Sequence, residues 1–558
     1  MNIESTLQAE ENAAHDLDPA AIGQNSTPRA KGVEGWIAER LNVLAFVVVA
    51  IGFVLRFLVA TRSYLNPDEA LHYVLLNQPS AFLAYKASLT NAHPPLIYLV
   101  VYFWHFLGRS EWMLRLPSVV AGTAFCWMFY KWMGLAFGRA ASWIGLILAT
   151  FPPAMIQLSA ELRAYALLLF CLSSALYCLE RAIVNKSVRL MWGFSAFLYL
   201  AILSHYSAVF FAIAAGVYVL ARIADDQLPR KVMTAWAIGQ AGALGIYAFL
   251  YITHISKLKD SIVVWSAPFE RGYFHRDTIS LFAFTWRSTF GVFLFLFSQP
   301  FVAIAMLLCF VLGAAFFFGQ KLLSNNGGSQ TNRLGILLLF PFIGVWCAAI
   351  AGIYPYIGSR HTVFLAPFEI AAASYLLAVI CGKKLWVGFL VAASLMVLSN
   401  LAPTEETNTH QSLDSMSSAV NYMDRSIPQG DHFLMDYQSS LQFQFYFCGP
   451  KVIFPIVIFH GDYSDFSCKG DSAVILRQLK LLRQTFPVEF QAMARSHALK
   501  PGDRVWVFQM AWGTDMGADL TAHDPELGCI EPKRFGGVTV TPFVVGADFS
   551  PMPSLGGC

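Results

Sequence analysis

Long apolar runs separated by short polar segments dominate the chain between residues 40 and 401. A helix needs about 20 apolar residues to cross about 30 Å of hydrocarbon, and fewer where the bilayer thins. We therefore predict a polytopic α-helical membrane protein with about eleven transmembrane helices. The predicted crossings are 42–61, 115–131, 140–157, 164–181, 191–204, 207–222, 233–252, 291–319, 334–353, 362–381 and 385–401.

The positive charges of the loops predict the orientation of these helices, because Lys and Arg near membrane ends stay on the cytoplasmic side. The loops near 158–163, 204–206 and 354–361 carry only Arg163 and Arg360, so we predict that they are external. Basic residues gather in the alternate loops: Lys131 and Arg139; Arg181, Lys186 and Arg189; Arg222, Arg230 and Lys231; Lys321 and Arg333; Lys383 and Lys384.

A twelfth apolar run, 94–108, is short and changes the parity of the topology. If it crossed, Asp68 would face the cytoplasm or the basic loops would face outward. We therefore predict an interfacial or re-entrant helix here, within one long first external loop at 62–114. The N-terminus is then inside and the C-terminus outside.

The two ends of the chain differ from the apolar middle. Residues 1–35 are polar and are predicted to form a disordered cytoplasmic tail, which leaves 36–401 as the transmembrane domain. Residues 402–558 contain the strand-like pieces HFLMDY, RVWVFQM and VTVTPFVV between helix-like stretches. Short alternating strands mixed with helices predict a small external α/β domain.

Composition supports a membrane protein and excludes a nucleic-acid surface. The 558 residues are 56% hydrophobic and only 13% charged, and the net charge of +3 is scattered. Six of the ten cysteines lie in apolar runs, as small buried side chains do. The other four lie in the polar C-terminal part, where their number permits disulfides but leaves the pairing open: Cys448, Cys468, Cys529 and Cys558.

Polar residues recur at the predicted outer ends of separate crossings. Ionisable groups at membrane depth are costly and are kept where they pair with one another or with a polar ligand. We therefore predict one shared external site. Its members are Asp68 and Glu69, His93, Glu161, Arg163 and Tyr165, His205 and Tyr206, and Tyr354, Tyr356, Arg360 and His361.

The ordered motifs NPDEA, NAHPPL, SAELRAYA, LSHYSA and GSRHTVFLAPF resemble those of the GT-C glycosyltransferases that use polyprenyl-phosphate sugars. The resemblance covers approximately residues 40–400 and is to the branch with protein O-mannosyltransferases and lipid A aminoarabinose transferases. It implies an inverting transfer to an envelope lipid, glycan or protein at the outer face of a bacterial cytoplasmic membrane. Leu96 and Ile97 stand where protein O-mannosyltransferases have Gly-Lys, so the nature of the acceptor stays open.

The resemblance and the chemistry together suggest catalytic roles. A carboxylate can take the proton of the acceptor hydroxyl, and Asp68 is the candidate base, with Glu69 or Glu161 as helper. The alternative for Asp68 is a helix N-cap in NPDEA. Arg360 and Arg163 are candidates for binding the donor phosphate. Their alternatives are snorkelling of Arg360 to lipid headgroups and an ion pair of Arg163 with Glu161.

The remaining polar residues are predicted to line the substrate pocket. A divalent metal held by histidines with Asp68 or Glu161 stays open, because the spacing contains no metal motif. The donor approaches through the membrane lipids, and the run 291–319 is a candidate wall of its groove. The pocket candidates are His93, Tyr165, His205, Tyr206, Tyr356 and His361.

Two other classes of function compete with glycosyl transfer. A lipid or solute transporter or flippase would also place charges in the membrane, but along a path through the bilayer rather than at one face. A non-catalytic scaffold would act through its external domain alone.

Overall fold

A computed structural model describes residues 33–260, 270–323, 329–382, 384–401, 412–453, 463–476, 485–510, 532–548 and 550–553. Most of the predicted N-terminal tail, residues 1–32, lies outside the described residues. The first helix begins at Val33, so the last three residues of the predicted tail 1–35 are helical.

α-Helices are the main secondary structure of the described residues up to residue 399. Within the described residues, six helices are long and apolar enough to cross a membrane, and two bent pairs raise that number to eight. The chain is a multi-pass membrane protein, whereas the number of eleven crossings stays a prediction. The helices are α1 Val33–Arg62, α2 Pro67–Leu76, α3 Ala81–Ser88, α4 Leu96–Trp104, α5 Glu111–Ala136, α6 Arg139–Thr150, α7 Pro153–Ser159, α8 Tyr165–Val184, α9 Val188–Ser204, α10 Ala208–Asp226, α11 Arg230–Thr253, α12 Leu281–Phe297, α13 Pro300–Leu323, α14 Ser329–Ile350, α15 Ala366–Cys381 and α16 Leu385–Ser399.

The prediction of a single continuous helix at 291–319 is wrong. The run belongs to α12 and α13, which meet at an angle of 115°. Ser298 ends α12 with a positive φ of 61°, and Pro300 starts α13. A proline has no N–H for the helix ladder and restricts the residue before it, so the chain turns here instead of continuing.

A second break separates α6 from α7, which meet at 65° across two prolines. The break leaves carbonyl groups at the end of α6 without helical partners. Arg56 of α1 is fully buried and donates through Nη1 to the Thr150 carbonyl at 3.0 Å. This buried arginine therefore stabilises an interrupted span.

The segment between α1 and α5, residues 63–110, contains three short α-helices, α2, α3 and α4. The predicted interfacial run 94–108 contains α4, which is too short to pass as a full span. Its predicted interfacial or re-entrant position in the membrane stays a prediction. Asn66 caps α2 in a capping box with Glu69, so the cap residue is Asn66 and not Asp68.

The C-terminal part is an α/β unit around one sheet. Its elements are α17 Leu413–Ser426, β1 His432–Asp436, α18 Tyr437–Phe443, β2 Tyr463–Cys468, β3 Asp471–Leu476, α19 Phe486–Ser496, β4 Arg504–Met510, β5 Lys533–Phe535, β6 Val538–Val545 and β7 Pro551–Pro553. The strand order is β2-β3-β1-β4-β6-β5, with β7 paired to β6. β1 lies parallel to β3 and β4, while the other pairs are antiparallel. The three predicted strand-like pieces form β1, β4 and β6.

A disulfide joins Cys448 to Cys468 within this unit. Cys529 and Cys558, the other two cysteines predicted to be external, lie outside the described residues. The external position of the unit stays a prediction.

The sheet unit packs on the segment 63–110 that contains α2. Tyr446 accepts a hydrogen bond from the Leu65 backbone N–H at 2.8 Å, just before α2. At the other end of α2, the Asn77 side chain donates to the Val452 carbonyl at 2.9 Å. Both ends of α2 are therefore tied to the C-terminal unit.

Candidate functional site

The candidate site begins at the N-terminus of α2, where two adjacent carboxylates point to different partners. Glu69 is fully buried and binds Arg115 of α5 through both oxygens, at 2.7 and 2.6 Å. Glu69 also accepts from the backbone N–H of Asn66 at 2.9 Å and of Leu162 at 2.7 Å. The two oxygens of Glu69 are thus used inside the protein, and they join α2, α5 and the 160–164 loop.

Asp68 lies beside two arginines from distant loops. Its Oδ2 is 2.6 Å from Nη1 of Arg163 and 2.5 Å from Nη2 of Arg360. The Asp68 side chain is 29% exposed and that of Arg360 is 26% exposed, whereas Arg163 is only 3% exposed. The three charges therefore form a cluster in which Asp68 and Arg360 are partly exposed and Arg163 is buried.

The charges of this cluster shift the pKa of Asp68. Burial would raise that pKa, but the guanidinium groups of Arg163 and Arg360 outweigh it and hold the pKa well below the usual range of a carboxyl. Arg163 Nη1 and Asp68 Oδ2 are in direct charged contact at 2.6 Å. The contact is ionic, and both arginines retain donor capacity for another anion.

Glu161 lies on the same loop as Arg163 and titrates differently from Asp68. Its Oε1 accepts from the Gln157 side chain at 3.0 Å. Burial and the nearby charge of Glu69 raise the pKa of Glu161 to about 7, although Arg163 and Arg360 pull it down. The alternative considered for Arg163 was an ion pair with Glu161. The structure instead pairs Arg163 with Asp68, because α2 brings the Asp68 carboxylate within 2.6 Å of the guanidinium.

Histidines from four different segments gather next to this charge cluster. The ring centroids of His72 and His93 are 5.6 Å apart, and those of His93 and His205 are 5.4 Å apart. Tyr165 contacts the same group, with 5.3 Å to the ring of His205 and 6.3 Å to that of His361. Burial and the charge of Arg163 lower the pKa of both His72 and His205 to about 3, so the rings are neutral at physiological pH.

Two tyrosines predicted for the pocket face other partners. The hydroxyl of Tyr206 lies 2.5 Å from Nδ1 of His254, whose Nε2 lies 2.7 Å from the carbonyl of Asn91. The hydroxyl of Tyr356 lies 2.9 Å from Thr289 of α12. The geometry thus ties Tyr206 and Tyr356 to the scaffold around the histidines, and their predicted pocket role has no contact of its own in support.

The possible divalent metal stays open. Within the part of the chain that the structure describes, no group of three or more His, Cys, Asp or Glu side chains is arranged to hold a metal ion. His72 and His93 still offer unpartnered nitrogens, which are considered below.

The sequence interpretation missed Arg115, His72 and His254. Arg115 carries a signal that was available, because an ionisable residue at the start of a predicted crossing needs a partner. The short spacing of His72 after Asp68 places both on one face of α2, which is also readable from the sequence. His254 carries no such signal, since its partners come from other loops.

Residues 92–252 match the family model for dolichyl-phosphate-mannose-protein mannosyltransferase, which is less than a third of the chain. No curated protein sequence matches the chain.

Among solved structures, ArnT from Cupriavidus metallidurans bound to undecaprenyl phosphate is similar with a TM-score of 0.53 at 12% sequence identity. That match covers 93% of this chain and 100% of ArnT. The archaeal oligosaccharyltransferase AglB from Archaeoglobus fulgidus, in complex with an inhibitory peptide and a dolichol-phosphate, gives 0.46 at 10% identity, covering 93% of this chain and 77% of AglB. The likeness to ArnT shows that the two proteins share a fold.

Proposed function

We propose, from the premise that this chain has the GT-C fold, that it is an inverting glycosyltransferase. The donor is a sugar on a polyprenyl phosphate, and the acceptor is an envelope lipid, glycan or protein. The site faces the outer side of a bacterial cytoplasmic membrane. These assignments rest on the chemistry of the cluster around Asp68 and on the motifs that resemble polyprenyl-phosphate-dependent enzymes.

The observation that carries the proposal is the convergence of Asp68, Arg163 and Arg360 from three separate parts of the chain. Two guanidinium groups against one carboxylate leave one positive charge. A sugar phosphodiester carries one negative charge and offers oxygens that match the fork of arginine donors. The partly exposed Arg360 provides the entrance and the buried Arg163 the base of such a phosphate site.

Binding of the donor phosphate would also change Asp68. As phosphate oxygens take over donors of Arg163 and Arg360, the carboxylate loses part of the charge that holds its pKa down, and it becomes a better base. The acceptor oxygen then attacks the anomeric carbon, and its proton moves to Asp68. The bond between that carbon and the phosphate oxygen breaks, and its electron pair leaves with the phosphate, whose added charge the arginines stabilise.

The other two carboxylates receive different roles in this proposal. Glu69 has no exposed surface and four hydrogen bonds, so we remove it from the chemistry and assign it the positioning of α2. Glu161, with a pKa near neutrality, remains the helper that can hold a proton at the edge of the site.

The disulfide and the loop charges support the proposed location. Disulfides persist in oxidising compartments such as the bacterial periplasm, and Cys448–Cys468 lies in the unit that contacts α2. The basic residues gather in the loops opposite to those of Asp68 and Arg360. Both observations favour a site on the periplasmic face.

Asp68→Asn tests the proposal in membranes supplied with a panel of undecaprenyl-phosphate monosaccharides and the native envelope acceptors. We expect sugar transfer to fall by about 10²–10⁴-fold, the usual contribution of a general base, with donor binding retained. Asp465→Asn, which removes a carboxylate paired with His497 on the sheet surface, is the matched control and should transfer normally.

Near wild-type transfer by Asp68→Asn would remove this residue from the mechanism. If the wild type moves lipid across the bilayer and transfers no sugar from any donor, the chain is a flippase instead.

A further inference from the structure

His72 is a buried histidine of α2 with no role in the reaction described above. It lies one turn after Asp68, and only 1% of the residue is exposed. Its Nδ1 is 2.7 Å from the backbone carbonyl oxygen of Asp68. A carbonyl can only accept, so Nδ1 carries the hydrogen. In a neutral imidazole the other nitrogen, Nε2, is then a bare acceptor.

The orientation of the His72 ring is fixed by its surroundings. The ring stacks on Tyr98 with 4.8 Å between centroids and 9° between planes. Tyr98 is held in turn, because its hydroxyl accepts from the Asn91 side chain at 2.7 Å. A rotation of the His72 ring that exchanged its nitrogens would lose the bond to Asp68. The position of Nε2 is therefore determined by the fold.

Nε2 of His72 is buried and has no hydrogen-bond partner among the described residues, and the same holds for Nδ1 of His93. Polar atoms left without any partner cost about 1–3 kcal/mol each, so native proteins seldom keep them without a ligand or a bound water. Burial and the charge of Arg163 hold the pKa of both histidines far down, so both rings are neutral. The pair thus offers an acceptor beside a second neutral imidazole.

We propose that Nε2 of His72 accepts a hydrogen bond from a hydroxyl of the donor sugar, and that His93 is the second partner of the same hydroxyl. A hydroxyl can donate to His72 and accept from His93, whereas a phosphate oxygen has no proton for a bare nitrogen. Asp68 and His72 lie on one face of α2 with about 5–6 Å between their Cβ atoms. A monosaccharide whose phosphate lies at the arginines spans that distance. This inference rests on the proposed function and names a residue that selects the sugar.

Two substitutions separate this role from support of Asp68. In His72→Asn the amide nitrogen takes the place of Nδ1 and can still donate to the Asp68 carbonyl, but nothing replaces Nε2. In His72→Gln the longer amide reaches the place of Nε2 and can accept from a hydroxyl, while the bond to Asp68 is lost. A purely structural His72 would therefore tolerate Asn better than Gln, and a sugar-binding His72 the reverse.

The test measures dissociation constants of the purified full chain for undecaprenyl phosphate and for a panel of its monosaccharide esters. We expect at least one ester to bind about tenfold more weakly to His72→Asn, as the loss of one buried hydrogen bond predicts, and to bind His72→Gln nearly as well as wild type. Undecaprenyl phosphate itself should bind all three proteins equally, which also shows that the variants are folded.

Several results would overturn the inference. One is a panel in which no ester binds the wild type, or in which none distinguishes Asn from Gln. Others are an equal loss for undecaprenyl phosphate, and a loss of ester binding on chelation, which would place a metal between the imidazoles. The proposed function fails separately: if the wild type binds esters in this pattern but transfers no sugar, the hydroxyl site stands without the transferase.

Discussion

The buried ion pair between Glu69 and Arg115 yields a prediction that distinguishes a structural carboxylate from a catalytic one. In Glu69→Gln, one carboxylate oxygen is replaced by an N–H₂ group that faces other donors. At the place of Oε1 these donors are Arg115 Nε and the backbone N–H of Leu162. Because both side chains are at most 1% exposed, water cannot repair the loss.

The structure gives the size of the effect. Breaking a buried ion pair by removing one partner costs about 3–5 kcal/mol. Arg115 keeps hydrogen bonds to the carbonyls of Ala60, Ser63 and Tyr64. We therefore expect the lower end, a loss of about 3 kcal/mol in the free energy of unfolding, which is about a 100-fold change in the folding equilibrium.

Denaturant unfolding of the purified chain in detergent measures this loss, with sugar transfer assayed on the same preparations. Asp465→Asn on the sheet surface is the control and should stay within about 0.5 kcal/mol of wild type. Arg115→Met and the double variant complete a cycle, in which the double variant should lose less than the sum of the single losses. If Glu69→Gln stays within about 1 kcal/mol of wild type and still loses transfer, Glu69 takes part in the chemistry and our reasoning is wrong.

Three further predictions follow from other parts of the site. A Cβ at Gly358 would lie 2.0 Å from a backbone oxygen of α12, so Gly358→Ala should displace the loop of Arg360 and lower the rate of sugar transfer. Gly216 has open space around it, so Gly216→Ala is the control and should transfer sugar normally. Equal transfer rates of the two variants would refute the close approach at Gly358. Because the pKa of Glu161 is raised from 4.5 to about 7, the folded state binds the proton more tightly, so the stability contributed by Glu161 is present below pH 4.5 and is lost as pH rises towards 7. The free energy of unfolding, measured across this pH range, should decline in the wild type and should not decline in Glu161→Gln. The same decline in Glu161→Gln as in the wild type would refute the raised pKa of Glu161. Cys468→Ser opens a disulfide with a sequence separation of 20 and should cost about 3 kcal/mol of stability, measured by unfolding under non-reducing conditions; an equal effect of reductant on wild type and variant would contradict it.

Much of the fold was readable from the sequence because apolar length and turn residues act locally. The long apolar runs correspond to α1, α5, α8, α11, α14 and α15, and the motif order predicted a GT-C fold, which is confirmed. The prediction of one crossing at 291–319 was wrong because the summed hydropathy of a segment does not show where its helix breaks. Here a serine with a positive φ, followed shortly by a proline, redirects the chain. The strand-like pieces of the C-terminal unit were found, but their order in the sheet depends on pairing between distant segments.

For the candidate site, too, some features were determined by the sequence and others only by the tertiary structure. The sequence by itself determined which polar residues stand at predicted loop ends, and thus that Asp68, Arg163 and Arg360 were candidates for one site. It assigned Asp68 as the candidate base and Glu69 as a possible helper at the same site, although adjacent residues on a helix point about 100° apart. Only the tertiary structure decided that Glu69 faces Arg115 in the interior while Asp68 faces Arg163 and Arg360, because those partners arrive from segments 46 to 292 positions away along the chain.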